Sequence, residues 1–276
     1  MIPVCWQVGK ISNCSYIMFA KKSLGQHFLM DKRVLASIAD AVGSAGRVVE
    51  IGPGHGELTH ELLARHNRVT VIEKDDVLSL DLVARAWDDV RVVHGDALAE
   101  LSAQSSLCEA SGEPYVIAGN IPYYITGHLL RIIGELPYKP VRTVLLIQKE
   151  VAERITMHEH RMNLLAASVL WWAQPRIGMV VPRGAFVPPP KVDSAVLILD
   201  TRGEAPGQEE TNAYYAFIHA LFKQPRKTIY NNLGTCVSDK DELLASLQRA
   251  GVNPSDRAHQ LSFAMLKTLL HEFHCF

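Results

Sequence analysis

The residue types best suited to chemistry cluster at Ala118-Gly119-Asn120-Ile121-Pro122-Tyr123-Tyr124. Pro122 has a locked φ and no N–H, so the carbonyl of Ile121 meets no competing local donor. The Asn120 side chain adds a second acceptor beside it, and Tyr123 offers a flat face. Two acceptors and a ring can hold a planar base by its exocyclic amino group. The same turn has a purely structural reading, with Asn120 capping a helix that begins at about Thr126.

A second set lies upstream. Gly52-x-Gly54-x-Gly56 falls between a strand and a helix, where glycines let backbone N–H groups approach a ligand. A dinucleotide site wants a further glycine at 57, which is Glu57 here, and a pyrophosphate is poorly served beside that carboxylate. Glu73 closes the next strand, where a carboxylate can hold both ribose hydroxyls. Asp96 closes the one after and can accept from an adenine amino group. The three together describe a nucleoside with a cationic or zwitterionic tail, S-adenosylmethionine being the leading candidate. Gly-x-Gly-x-Gly by itself is also a common structural turn; the added carboxylates at successive strand ends make the set more specific.

These residues need a frame. Val48–Ile51, Val69–Ile72, Val90–Val93 and Tyr115–Ile117 read as strands, each β-branched or aromatic and each separated from the next by a helical stretch. That alternation predicts a parallel sheet with helices on both faces and ligands at the carboxyl ends of the strands. Asp31 is placed to cap a helix through about Val42, with Val34, Leu35, Ile38, Ala39 and Val42 on its apolar face. Thr143–Ile147, Ile177–Val181 and Ser194–Leu199 read as strands five to seven, and Lys149–Met157 and Met162–Trp172 as helices. The three prolines of Ala185-Phe186-Val187-Pro188-Pro189-Pro190-Lys191-Val192-Asp193 make a stiff loop that holds Phe186 in place. Thr201 to Gln208 reads as a polar linker. Beyond it only helices are predicted, over Thr211–Leu221, Lys227–Leu233, Lys240–Ala250 and Ser262–His271. The expected division is an extension at 1–17, poorly ordered and dispensable, an α/β domain at 18–200 and a small all-helical domain at 208–276.

At 276 residues the chain is longer than one average domain, and 48% hydrophobic content suffices for a packed core. No apolar run reaches the ~18 residues of a membrane helix, so no membrane is expected. Five scattered cysteines with no Cys-x-x-Cys suit a reducing cytoplasm and form neither a disulfide framework nor a zinc site. Net charge is −1, but residues 1–35 carry five basic side chains to one acidic, 36–119 six to fourteen, and 120–200 nine to six. A polyanion that touches part of the surface suits this asymmetry, as does an ordinary solvated surface.

Five segments carry a family resemblance: Lys22-Ser23-Leu24-Gly25-Gln26-His27-Phe28-Leu29, Glu50-Ile51-Gly52-Pro53-Gly54, Gly119-Asn120-Ile121-Pro122-Tyr123, Phe186-Val187-Pro188-Pro189-Pro190-Lys191-Val192-Asp193-Ser194, and Arg257-Ala258-His259-Gln260-Leu261-Ser262. In this order the chain resembles the small-subunit ribosomal RNA adenine N6,N6-dimethyltransferases, the kasugamycin-sensitivity type. The resemblance implies a Rossmann-like class I S-adenosylmethionine-dependent methyltransferase sheet with a small C-terminal all-helical domain. It implies that His27, Leu29 and Gly52 line the cofactor pocket, with Glu73 on the ribose, Asp96 on the adenine and Asn120 at the methyl donor. The partner is then the small ribosomal subunit and its RNA, and the enzyme a cytoplasmic monomer without a metal. Two departures stand out. Tyr124 replaces an asparagine frequent in the family, and Met157-His158-Glu159-His160-Arg161-Met162-Asn163 replaces a Gly- and Ser-rich segment.

On this reading Asn120 and the Ile121 or Pro122 carbonyl accept the two amino hydrogens, while Tyr123 and Phe186 stack on an unstacked base. Catalysis is positioning and electrostatics. RNA contacts are expected from Lys21, Lys22, Lys32 and Arg33 and from Lys223, Arg226 and Lys227. His158 and His160 lack a third ligand at useful spacing for a metal. The rival readings are a macrolide-resistance type methyltransferase of large-subunit RNA, a DNA adenine methyltransferase, and a non-catalytic assembly factor. The last two motif segments argue against the first, length against the second, and intact Asn120, Tyr123 and Glu73 against the third.

Overall fold

A computed structural model describes residues 20–43, 46–66, 68–103, 113–156, 161–203, 206–237 and 239–273. The extension at 1–17 and the histidines 158 and 160 lie outside the described residues. Helix α1 (Lys32–Val42) opens the fold where expected: the Asp31 side chain accepts from the Arg33 amide, and the five predicted apolar residues are the buried ones. Then follow β1 (Arg47–Ile51), α2 (Glu57–Leu63), β2 (Val69–Glu73), α3 (Asp76–Ala84), β3 (Val90–His94), α4 (Ala97–Ser102), β4 (Tyr115–Asn120), α5 (Thr126–Glu135), β5 (Arg142–Gln148), α6 (Lys149–Thr156), α7 (Leu164–Trp172), β6 (Ala173–Val181) and β7 (Ser194–Thr201).

The seven strands form one sheet in the order β3-β2-β1-β4-β5-β7-β6. Strands β1 to β4 are parallel, as predicted, and β5 continues in the same direction. The last two are not: β7 runs antiparallel to both β5 and β6. Only a single 3-10 turn (Arg183–Ala185) and the proline-rich loop separate β6 from β7, and a return without a crossover can only pair antiparallel. Strand β6 also starts at Ala173 rather than Ile177, directly after α7. Pro175 hid its first half, since a proline argues against a central strand. An edge strand tolerates it, and β6 is one of the two edges.

Alternate residues of each strand enter opposite cores. Ile51, Ile117, Leu145 and Leu197 pack with Leu129 and Ile133 of α5 on one face. Val48, Val116, Val144 and Val196 pack with Leu35 and Ile38 of α1 and Leu62 of α2 on the other. Cutting one of these larger aliphatic side chains to alanine costs about 2–5 kcal/mol. One short pairing was not legible in the sequence: Phe28–Leu29 runs antiparallel to Phe186–Val187. It ties the arm before α1 to the proline-rich loop.

After the linker come α8 (Gln208–Phe222), α9 (Ile229–Leu233), α10 (Lys240–Arg249) and α11 (Phe263–Glu272), near the predicted bounds. Their core reaches back into α7. Val169 and Trp172 belong to the sheet core, whereas Ala166, Ala167, Leu170 and Trp171 join the helical one. An α7 that is apolar all round fits such burial on both sides. The Trp171 ring stacks on Tyr214 at 4.0 Å, and its N–H donates to the Thr211 hydroxyl at 3.2 Å.

Candidate active site

The carboxyl ends of β1, β2, β3 and β4 open into one cavity. Lining it are His27 and Leu29 from the arm, Glu50, Gly52 and Gly54, Glu73, Asp96, and Asn120 to Ile125. The sheet order explains the gathering. Ile51 pairs with Gly119 and Ile72 with Ile51, so the residues that follow each strand emerge side by side. Gly54 has φ 61°, and a Cβ there would come within 3.0 Å of the Phe28 ring, so the arm lies on a glycine loop that carries no side chain.

Asn120 is oriented from the arm. Its Nδ2 donates to the His27 carbonyl at 2.8 Å, which leaves Oδ1 without a partner among the described residues. Asn120 caps nothing: the N-cap of α5 is Ile125, with no side-chain cap. The two candidate carbonyls differ. That of Pro122 accepts the Ile125 N–H at 3.1 Å, whereas that of Ile121 has no partner among the described residues. Oδ1 of Asn120 and the Ile121 carbonyl are therefore the two available acceptors. Tyr123 is pinned by a 2.7 Å hydrogen bond between its hydroxyl and that of Ser194, and burial pushes its pKa up. The His27 ring lies 6.2 Å from it with planes 20° apart, and its Nδ1 sits 2.8 Å from the Pro188 carbonyl. Nδ1 is then the protonated ring nitrogen.

Glu73 is buried, and burial raises its pKa; its oxygens accept from the Gly54 amide at 3.2 Å and the Asp75 amide at 2.8 Å. Asp96 caps α4 through the Leu98 amide and pairs with Lys74 at 2.8 Å, the bond that does most to lower its pKa. The predicted RNA residues divide. Lys22, Lys32, Lys223, Arg226 and Lys227 are exposed, Arg33 is exposed and pairs with Asp31 at 3.5 Å, and the Lys21 ammonium is held 2.9 Å from Asp75. Phe186 is 2% exposed, packs in the core with Leu35 and Val181, and does not line the cavity. Its pairing with Leu29 holds it there. Among the described residues no three His, Cys, Asp or Glu side chains are grouped to hold a metal.

Sequence reasoning passed over Glu50, which lines the cavity and is 1% exposed. A carboxylate inside a parallel strand was the available signal. Thr59 donates to it at 2.7 Å, but burial dominates and raises its pKa from 4.5 to about 8, with Glu57 and Glu73 adding to the rise. The folded protein therefore keeps a proton there that the unfolded chain releases near 4.5. The stability tied to that proton is present below 4.5 and lost as pH rises through about 8. Each pH unit inside the window is worth about 1.4 kcal/mol. Glu50→Gln should remove this slope, so its melting temperature relative to wild type should climb between about pH 5 and 8. Parallel melting curves across that range would mean Glu50 is ionised in the fold.

A parallel-rich sheet, a glycine loop, two strand-end carboxylates and an oriented pair of acceptors define a Rossmann-like methyltransferase. The profile of the ribosomal RNA adenine dimethylase family matches residues 18–274, and the chain belongs to that family. A ribosomal RNA small subunit methyltransferase A of Dehalococcoides mccartyi (strain ATCC BAA-2266 / KCTC 15142 / 195) is 39% identical over 92% of this chain and 88% of its own length. One of the same name from Geobacillus thermodenitrificans (strain NG80-2) is 35% identical over 90% and 89%. Among solved structures, a dimethyladenosine transferase from Plasmodium falciparum is similar, with TM-score 0.73 and 25% identity over 90% of this chain and 97% of that one. So is a 23S rRNA methyltransferase, ErmE, with TM-score 0.69 and 27% identity over 89% and 98%.

Proposed function

We propose that the protein transfers methyl groups from S-adenosylmethionine to the N6 amino groups of two adjacent adenines near the 3′ end of small-subunit, 16S-type ribosomal RNA during ribosome assembly. The observation that carries this is the acceptor pair at the end of β4, Asn120 Oδ1 and the Ile121 carbonyl, beside an aromatic face. The cavity fits the cofactor: Glu73 suits a ribose, Asp96 an adenine edge, and the Gly52–Gly54 backbone leaves room for the tail. When bound, S-adenosylmethionine supplies an electrophilic methyl group. The protein then has no need to remove a proton first. Asn120 Oδ1 and the Ile121 carbonyl accept the two amino hydrogens and draw the nitrogen lone pair out of conjugation with the ring. Tyr123 stacks on the flipped base, an interaction worth ~1–3 kcal/mol. Phe186 supports from behind, through the strand pair that fixes the arm.

The curated relatives favour the small-subunit target over the large-subunit one, since they carry the small-subunit name at 35–39% identity. Lys22, Lys32, Arg33, Lys223, Arg226 and Lys227 are exposed basic residues we assign to RNA contacts. No helix among the described residues is long and apolar enough to cross a membrane. We place the enzyme in the cytoplasm, as a monomer, with α8 to α11 as its RNA-binding domain.

The test is methyl transfer from labelled S-adenosylmethionine to small subunits, large subunits and DNA in parallel, followed by mapping. Small subunits should be labelled at paired adenines, and partly assembled ones better than naked RNA. Preferential labelling of large-subunit RNA would transfer the assignment to the macrolide-resistance type. The double change Lys223→Ala, Arg226→Ala should weaken subunit binding and flatten its salt dependence by about one unit of slope per lost phosphate contact. Cofactor affinity should not move, and a change there would remove the two residues from an RNA role.

A further inference from the structure

Asp75 follows the ribose-side carboxylate by two residues and belongs to no motif considered above. It is 2% exposed and caps α3, its Oδ1 accepting from the Val77 amide at 3.0 Å. A cap needs nothing more, yet two side chains of the arm also converge on this carboxylate. Lys21 Nζ reaches Oδ1 at 2.9 Å and Gln26 Nε2 reaches Oδ2 at 3.1 Å. Gln26 Oε1 in turn accepts from the Lys21 amide at 2.7 Å, so the turn of the arm is closed on itself where it is tied. On the cavity side the Asp75 amide donates to Glu73 Oε1, whose other oxygen accepts from Gly54. One connected set of bonds thus runs from the arm through Asp75 and Glu73 to the glycine loop. The arm carries His27, whose carbonyl orients Asn120.

We propose that Asp75 is a positioning residue that latches the N-terminal arm to Glu73, so that filling the cavity and ordering the arm over it are one coupled event. The proposal rests on the cofactor reading given above and extends it to a residue outside the cavity. The alternative, that Asp75 is only a helix cap, leaves Lys21 and Gln26 without a reason to meet on a buried carboxylate from 54 and 49 positions away. Burial by itself would raise the Asp75 pKa, but the bonds from Lys21, Gln26 and the Val77 and Leu78 amides outweigh it and leave it lowered. The carboxylate is therefore ionised and able to hold the lysine. The latch gives Lys21 a part in holding the arm, although its side chain is 45% exposed.

Asp75→Asn separates the two roles. Asparagine caps a helix as well as aspartate does, but it loses the charge that holds Lys21 and turns one oxygen into a donor facing Gln26. Lys21→Met cuts the same link from the half-exposed side and leaves the cap and the Gln26, Val77 and Leu78 donors on the carboxylate. S-adenosylmethionine would be titrated by calorimetry into wild type and both variants, with amide exchange of residues 21–30 followed with and without it. Wild type should bind and gain protection in the arm. Both variants should melt near the wild-type temperature, bind about 10-fold more weakly, within the usual range of coupling between sites, and lose most of the added protection. Asp75→Ala should also lower the melting temperature, because it removes the cap. Wild-type affinity and arm protection in Asp75→Asn would overturn the latch, as would weaker binding with arm protection intact. Failure of wild type to bind at all would instead remove the cofactor reading beneath it.

Discussion

Asn120→Ala should lower turnover by about 10²–10³-fold, the usual cost of removing one oriented polar group that acts on developing charge. Binding of the small subunit should change little. Asn120 is a single residue at the floor of the cavity, and its contribution grows only as the amino nitrogen becomes tetrahedral and its hydrogens more acidic. An interaction made mainly in the transition state lowers kcat and kcat/KM together and leaves KM nearly unchanged. The structure adds a second consequence. Loss of the amide also frees the His27 carbonyl, so the arm loses one of its ties. Asn120→Asp discriminates between these effects: it restores acceptor oxygens but sets one of them against the His27 carbonyl. It should therefore recover only part of the lost turnover. Single-turnover kinetics with saturating cofactor would measure both, and near-normal turnover in the alanine variant would remove Asn120 from the chemistry.

Gly119→Ala should damage stability and activity together. A methyl group on Gly119 would overlap the carbonyl oxygen of Ile51 on the adjacent strand and sit 3.3 Å from Ile121. Neither neighbour can turn aside, since one is strand backbone and the other is buried against the sheet. Overpacking of this kind costs about 3 kcal/mol. For a chain of this size that corresponds to a fall of about 6–12 °C in melting temperature. The larger effect is on the site. Ile51 leads into Gly52 and Gly119 into Asn120, so forcing β1 and β4 apart separates the cofactor loop from the base acceptors. A misplacement of about 1 Å is enough to cost about 10²-fold in rate. Thermal melting followed by turnover at a temperature where the variant stays folded gives the two numbers separately. A variant with wild-type melting and turnover would mean the strands can part here without consequence.

The local parts of this protein were legible in its residues. Asp31 before an apolar helical stripe, β-branched runs of three to six residues, and glycines or carboxylates closing them depend on neighbours a few positions away. Their signals therefore survive in one dimension, and Gly52, Glu73, Asp96 and Asn120 could be put at strand ends. Burial on both faces made β1, β4 and β5 easy to read, because such strands are almost continuously apolar.

Tertiary structure decided whatever depends on partners distant in the chain. Pro175 argues against a strand until β6 is seen to be an edge. Ile121 and Pro122 offer equivalent carbonyls until the turn uses one of them for Ile125. Phe186 reads as a stacking ring until its pairing with Leu29 places it in the core. Lys21 reads as one more basic residue until the folded arm brings it to Asp75. In each case the residue type by itself permits two roles. The choice is made by burial and hydrogen bonding with groups that only the closed fold brings within reach.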